Sequence, residues 1–233
     1  MLATCNAAGL APSCKLFKSC RKGETVDIPS VVAATDEYLK FLDSFGKWTA
    51  ASIGETRSCL QKMEDGIKKL RSSGSDSERA RKLQTLLEVL TAEVERGLHK
   101  AGGKLADPSA AMGLLWVRRG LAFWARLFAL EAARIDKTGE LDGGPGTFRQ
   151  QVQVAYKEVI DPFHGWVSRK AFMLSMRRAP EWNELRRRAG LPCDSCDALR
   201  AELRDWCETV SELMQRMQKV HQSLDVEDTR RSV

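Results

Sequence analysis

The stretch GLLWVRRGLAFWARLFAL, residues 113–130, constrains the fold most, because it is too apolar for an ordinary surface helix and yet carries three arginines. At about 100° per residue its apolar side chains cover about 200° of a helix, roughly twice the usual apolar stripe. Each guanidinium would cost about 2.5–3.5 kcal/mol at the middle of a bilayer. We therefore expect a helix that does not cross a membrane. It either lies between two protein layers or packs on one side and lines an apolar cavity on the other.

Helical periodicity continues through the rest of the chain, and no segment alternates convincingly with the period of a β-strand. The apolar helix is predicted to open at Asp107 and Pro108, as N-cap and first helical residue. Further helices are predicted over residues 30–45, 52–70, 76–100, 147–160, 162–178 and 195–224, with a short basic helix before the last one. The sequence thus predicts an all-α protein of about eight helices.

The length of 233 residues and the apolar fraction of 43% allow one large core, so we expect a single folded domain. We place this domain at residues 27–224. A flexible, basic, cysteine-containing tail (1–26) and a C-terminal tail (225–233) are predicted to flank it. The first 22 residues contain no Asp or Glu, a composition also found in transit peptides, so the sequence leaves open whether this tail directs the chain to an organelle.

The net charge of +6 suits an anionic membrane surface as readily as nucleic acid. Basic and aromatic residues do not alternate as they do in nucleic-acid-binding segments, so we expect no nucleic-acid partner. Seven cysteines, an odd and scattered set, favour reduced thiols and a cytoplasmic protein.

Catalytic and metal-binding patterns are not found in the sequence. The single CxxC pair, Cys193 and Cys196, lacks two further zinc ligands at matching spacing. The three histidines show no metal spacing, and no glycine-rich phosphate loop or nucleophile motif is present. We therefore expect neither an enzyme nor a metal or organic cofactor.

Two groups of polar residues are candidates for a binding site. Glu55, Cys59 and Lys62 follow i, i+4, i+7 spacing and stack within about 60° of arc beside the apolar stripe of their helix, where polar groups can meet a ligand. A simpler interpretation is an exposed pair of charges around a half-buried thiol. His164 is expected in the first turn of the helix after Pro162, where a histidine is more often structural than functional.

Two motifs carry a resemblance to a known family. GLLWVRRGLAFW, and AYKEVIDPFHGWVSRKAFMLSMRRAP later in the chain, resemble the LLWxKRGL helix and the YxxxLxPxHxWxxR segment of the glycolipid transfer protein family, including its plant accelerated-cell-death branch. The similarity extends over about residues 28–220. It implies a two-layer helical sandwich that encloses the hydrocarbon chains of one sphingolipid. Such a protein carries the lipid between membranes without chemical change.

The resemblance also implies roles for single residues. Trp116 matches the tryptophan under the first sugar ring, and His164 matches the histidine that bonds the ceramide amide. Trp166 matches the aromatic residue that touches the bilayer, and Lys170 is expected to contact the membrane beside it, as are Arg177 and Arg178. In the D-x-x-x-N-x-x-K row of the family this chain has Glu55, Cys59 and Lys62, so only the lysine is identical.

The positions at which this chain differs from the family motifs indicate which kind of lipid head group it binds. Phosphate-selective relatives carry an arginine at the Trp116 position, another four residues earlier, where this chain has Met112, and a lysine at the Cys59 position. We therefore predict a glycosphingolipid ligand for a monomer that contacts membranes transiently. Arg119, about 60° from Trp116 around the helix, is also expected at the head-group site and leaves a ceramide-phosphate carrier as one alternative. A helical adaptor that binds proteins through RRAPEWNELRRR is the other.

Overall fold

The computed structural model describes residues 9–72, 83–100, 102–176 and 179–230, and nine α-helices lie in this part of the chain. They are α1 (Ala11–Ser19), α2 (Ile28–Asp43), α3 (Ala50–Ser72), α4 (Leu86–Glu95), α5 (Ala110–Thr138), α6 (Thr147–Val159), α7 (Trp166–Ser175), α8 (Trp182–Ala189) and α9 (Cys196–Ser223). Strands β1 (Arg21–Lys22) and β2 (Thr25–Val26) form a small antiparallel hairpin, and a 3-10 turn covers Lys47–Thr49. The predicted all-α sandwich is confirmed.

The apolar stretch forms the middle of α5, the central helix of the sandwich. This helix packs against α3 on one side and α9 on another, and also contacts α6. Its arginines are accommodated by specific partners: Arg118 pairs with Glu227, and Arg126 pairs with Glu158 on α6 at 2.5 Å. Most of the wide apolar surface of α5 is therefore buried against neighbouring helices.

The helix starts show where short polar side chains cap free backbone N–H groups. Ser109, not Asp107, is the N-cap of α5, because its hydroxyl accepts the backbone N–H of Met112 at 3.1 Å. Ser195 caps α9, which starts close to the predicted residue 195. Thr85 caps α4 in a capping box, while the predicted start of that helix at residue 76 lies outside the described residues.

Helix α7 begins later than predicted, at Trp166 instead of Pro162. Residues 161–164 form a turn, in which the backbone N–H of His164 donates to the carbonyl of Asp161 at 3.3 Å. The N-cap is Gly165. His164 therefore lies in the connection before α7 and not in the first helical turn.

The flexible tail predicted for residues 1–26 is wrong for its described part, residues 9–26. Leu10, Cys14 and Phe17 are spaced i, i+4, i+7 and form one apolar face of α1, which is buried. The ring of Phe17 lies edge-on to Trp206 of α9, with 6.3 Å between centroids. The basic composition concealed this stripe, and the segment belongs to the core.

The C-terminal tail predicted for residues 225–233 is also ordered over residues 225–230, hereafter the C-terminal segment. Val226 is 2% exposed and Asp228 is 4% exposed. The backbone N–H of Val226 donates to the carbonyl of His221 at 2.9 Å, so the segment turns back onto the end of α9. It is a packed part of the domain.

Candidate functional site

A cavity of about 430 Å³ opens between α3, α5, α6 and α7. Its wall is made by Trp48, Thr49, Ala51, Ser52, Glu55, Thr56, Cys59, Trp116, Gly120, Phe123, Trp124, Tyr156, Ile160, His164, Ser168, Ala171, Phe172 and Ser175. The volume lies within the range of about 300–1,000 Å³ typical of small-molecule sites. The predicted apolar cavity beside α5 is thereby confirmed.

The structure brings Trp116 and His164 together at this cavity. Their ring centroids are 5.9 Å apart, with 32° between the ring planes. The hydroxyl of Tyr156 and Nδ1 of His164 share a hydrogen bond of 3.0 Å. Burial raises the pKa of Tyr156 to about 12, so its hydroxyl keeps the proton and can donate it to Nδ1. Burial also lowers the pKa of His164, so the ring is neutral at neutral pH, and Nε2–H is then the donor available to a ligand.

The three polar residues Glu55, Cys59 and Lys62 of α3 form what we call the α3 row, and two of them, Glu55 and Cys59, belong to the cavity wall. Glu55 is accessible to solvent, but the protein around its carboxyl raises its pKa, an effect that Lys62 opposes. Burial raises the pKa of Cys59 to about 11, so this side chain is a neutral thiol. Lys62 is not part of the wall: its Nζ binds Oδ1 of Asp107 at 2.8 Å.

A close approach of α3 and α5 sets this geometry. A Cβ atom on Gly113 would lie 2.4 Å from the carbonyl oxygen of Cys59 and 3.1 Å from the backbone nitrogen of Met63. Only glycine allows the two backbones to come this near. Because Trp116 follows Gly113 by about one helical turn, this contact places its indole beside the α3 row.

Arg119 lies next to the predicted head-group residues but is not part of the cavity wall. The residue is 6% exposed, and one of its N–H groups donates to the carbonyl of Asp228. Its guanidinium carbon lies 4.8 Å from the ring centroid of Trp116 and 3.6 Å from that of Phe163. Burial lowers the pKa of Arg119 to about 10, so it stays charged at neutral pH. This placement corrects the expectation that Arg119 contacts the head group directly.

Helix α7 presents an apolar outer surface, and none of its described side chains is buried. Trp166 is 68% exposed, and Nζ of Lys170 lies 3.8 Å from its ring centroid. Val167, Met173 and Leu174 are also exposed large apolar residues of this helix. The two predicted membrane-contact residues thus belong to one exposed patch, which we call the α7 patch (Trp166, Val167, Lys170, Met173, Leu174). Residues 177–178, which carry the other two arginines expected there, lie outside the described part of the chain.

Several site residues were missed in the sequence. Tyr156 belongs to the AYKEVIDPFHGW segment, but its spacing from His164 does not indicate the hydrogen bond between the two side chains. Phe172 stacks on Tyr156 with 3.6 Å between centroids, and Trp48 reaches the cavity from the 3-10 turn. Asp107 was interpreted as a helix cap. These contacts join distant segments, so local periodicity could not indicate them.

Two features are not found among the described residues. No helix among them is both long and apolar enough to span a bilayer. No cluster of three or more His, Cys, Asp or Glu side chains with the geometry of a metal site is found among them either.

The sequence comparisons agree with the geometry. The family model of the glycolipid transfer protein matches residues 26–190, most of the chain. The glycolipid transfer protein of the zebrafish Danio rerio is 29% identical over 99 residues, which are 42% of this chain. The match spans 44% of the zebrafish protein, less than half of its length.

Solved structures share the fold at low sequence identity. The apo form of mouse ceramide-1-phosphate transfer protein superposes with a TM-score of 0.74 at 18% identity, covering 95% of this chain and 98% of that one. Apo accelerated-cell-death 11 of Arabidopsis superposes with a TM-score of 0.68 at 18% identity, covering 92% and 97%. On the family match, the chain belongs to the glycolipid transfer protein family, whose members are lipid transfer proteins and not enzymes.

Proposed function

We propose that this protein carries one sphingolipid with an uncharged sugar head group between membranes, without changing it chemically. The hydrocarbon chains of the lipid enter the cavity, and the head group rests on Trp116 and His164 beside the α3 row. The protein acts as a cytoplasmic monomer that touches each membrane transiently through the α7 patch.

The cavity meets the main energetic requirement of a carrier. Moving an acyl chain of about fifteen methylenes from a bilayer into water costs roughly 12 kcal/mol, at about 0.8 kcal/mol each. A carrier must therefore offer an apolar lining in place of the bilayer. Phe123, Trp124, Ile160 and Phe172 provide such a lining next to the polar end of the cavity.

The charge of the cavity wall is the observation that carries the choice of head group. Among its described residues the wall contains one carboxylate, Glu55, and no Lys or Arg. Lys62 is already paired with Asp107, and Arg119 is buried against the C-terminal segment. A phosphate is bound best by forked, charge-assisted donors, which this wall lacks. An uncharged head group avoids repulsion from Glu55.

The remaining groups suit a sugar and an amide. The indole of Trp116 offers a broad apolar ring for the apolar face of a sugar, with a polar edge. His164 Nε2–H can donate to the amide carbonyl of the ceramide, and the carboxylate of Glu55 can accept from amide or hydroxyl donors. Cys59 is a weak hydrogen-bonding group, so we expect modest sugar affinity.

A transfer assay between vesicles tests the proposal. Galactosylceramide, lactosylceramide and ceramide phosphate are offered side by side, and we expect the two glycolipids to be transferred faster. Trp116→Ala and His164→Leu should abolish glycolipid transfer while circular dichroism shows an intact fold. Leu98→Ala, at an exposed position outside the cavity wall, is the control and should transfer normally.

The other outcomes separate the alternatives. Faster transfer of ceramide phosphate would show that the protein prefers a phosphate head group to a sugar. Transfer of none of the three lipids would contradict the carrier proposal and leave the helical adaptor, which the family match and the cavity disfavour. Full activity of both site variants would exclude the proposed site.

A further inference from the structure

The C-terminal segment is bound to α5 through two consecutive arginines. Arg118 forms an ion pair with Glu227, and Arg119 donates a hydrogen bond to the backbone carbonyl of Asp228. Both arginines are nearly buried. They lie two and three residues after Trp116 in the chain, so the segment is fixed within one helical turn of the proposed head-group site.

The segment is itself rigidly anchored. The carboxylate of Asp228 accepts the backbone N–H of Leu105 at 3.1 Å. Arg230 donates from Nε to Oδ1 of Asp228 at 3.0 Å, and its Nη2 donates to the carbonyl of Leu105 at 3.2 Å. Asp228 therefore fastens the segment to the loop before α5, and the carbonyl that Arg119 uses has a defined position.

The guanidinium of Arg119 contacts both sides of the head-group site. It stacks near Trp116 on the α5 side and lies over Phe163 in the connection before α7. Phe163 immediately precedes His164. One buried group thus touches Trp116 and the residue next to His164, the two rings that stand 5.9 Å apart at the cavity.

We infer that Arg119 is a positioning residue through which the C-terminal segment sets the spacing of Trp116 and His164, and so contributes to head-group selectivity without touching the lipid. This inference rests on the proposed function. A guanidinium fixed by the Asp228 carbonyl keeps the two rings in one relative arrangement. Without the Asp228 carbonyl as acceptor, the guanidinium can reorient, and Trp116 and Phe163 are no longer held by contact with the same group. Small displacements of binding groups strongly reduce affinity when they must act on one ligand together.

The test weakens the anchor of the segment and leaves the cavity wall unchanged. Asp228→Ala removes the carboxylate that fixes the segment, and Arg230→Ala removes the clamp on it at a more exposed position. Arg204→Ala is the matched control, because Arg204 also forms an ion pair, with Asp136 near the far end of α5. Its side chain is 52% exposed, against 50% for Arg230.

Binding of galactosylceramide and of ceramide, which lacks the sugar, is measured for each protein. We expect the affinity ratio of galactosylceramide to ceramide to fall about tenfold in Asp228→Ala, as for coupled residues in contact, and by less in Arg230→Ala. Arg204→Ala should keep the wild-type ratio. The indole N–H resonance of Trp116, assigned with Trp116→Phe, should shift in Arg230→Ala and stay in place in Arg204→Ala.

The failures are distinguishable. A wild-type protein that binds neither lipid contradicts the proposed function. A wild-type protein that prefers galactosylceramide, with the same ratio in Asp228→Ala and Arg230→Ala, overturns only the role of the segment. Equal losses for both lipids in these variants would show a merely structural role and would overturn it as well.

Discussion

Nζ of Lys62 lies 2.8 Å from Oδ1 of Asp107, so the lysine of the α3 row is already paired with a carboxylate where it approaches the proposed head-group site. The two side chains are 37% and 51% exposed. An ion pair this exposed is worth about 1 kcal/mol or less, so either partner can exchange for a sugar hydroxyl at little cost. The pair offers donors and acceptors with no net charge.

Removing the carboxylate of this pair should shift selectivity towards phosphate. In Asp107→Asn the charge of Lys62 is no longer neutralised, and a phosphate can use it. We expect the ratio of ceramide-phosphate to galactosylceramide transfer to rise about two- to fivefold, in line with an exposed ion pair. Asp65→Asn, the same change of charge on the exposed face of α3, is the control. A ratio that stays the same in Asp107→Asn, or rises equally in both, would contradict the prediction.

The contact between Gly113 and Cys59 should make Gly113→Ala destabilising. A new Cβ would meet the Cys59 carbonyl oxygen at 2.4 Å, and backbone atoms cannot move aside cheaply. We expect the free energy of unfolding to fall by about 1–3 kcal/mol, with weaker lipid binding because Trp116 is displaced. Denaturant titration provides the measurement.

Gly120→Ala provides the matched control for this substitution. It lies on the same helix, and its nearest neighbour to a new Cβ is Thr56 Oγ1 at 4.0 Å. Alanine should raise stability there by about 0.5–1 kcal/mol, because it is the better helix former. Similar losses in both variants would mean that the close approach does not require Gly113.

The α7 patch should govern adsorption to membranes. Trp166→Ala and Leu174→Ser remove apolar side chains that are 68% and 62% exposed. We expect each to lower vesicle adsorption about tenfold, which corresponds to roughly 1.4 kcal/mol of lost apolar burial. Leu98→Ser, at an apolar position 43% exposed outside α7, should adsorb as the wild type does. Sedimentation with anionic vesicles measures this, and normal adsorption of both α7 variants would disprove it.

Glu55 should make the protein less stable as the pH rises. Its pKa is raised in the folded state, chiefly because the surrounding protein desolvates the carboxyl of this solvent-accessible residue, so the fold binds this proton more tightly than the unfolded chain does. Stability is therefore lost between the usual pKa of 4.5 and the higher folded value. Glu55→Gln removes this loss, so its Tm should exceed that of the wild type at pH 7 and approach it near pH 4.

Glu158→Gln is the control, because the pKa of Glu158 is shifted in the opposite direction to that of Glu55. The bond to Arg126 lowers the pKa of Glu158, so its contribution to stability is present at neutral pH and fades in acid. This variant should match or fall below the wild-type Tm at pH 7. A lower Tm for Glu55→Gln at pH 7 would refute the assigned cause.

The helices of this protein were largely predictable, because their apolar residues repeat with a clear period. The helix predicted over residues 52–70 is observed at Ala50–Ser72, and the one predicted over residues 195–224 is observed at Cys196–Ser223. The start of α5 was harder. Asp107 and Ser109 are both good N-cap residues, but Ser109 caps α5 while the carboxylate of Asp107 pairs with Lys62 on another helix.

The parts that could not be predicted depend on contacts between distant segments. The polar sequence of the C-terminal segment resembles a flexible tail, and its order depends on distant partners such as Arg118, Arg119 and the backbone of Leu105. Likewise, the position of Arg119 around the helix, close to that of Trp116, predicts that it binds the lipid head group. In the structure its guanidinium instead contacts the ring of Phe163 and the carbonyl of Asp228.

The burial of Phe17 against Trp206 means that the family boundary and the folding unit do not coincide. The family match begins at residue 26, after α1 and the hairpin. A recombinant fragment that starts there would leave an indole of the core uncovered on the surface of α9, and would be prone to self-association in spite of containing every residue of the cavity wall.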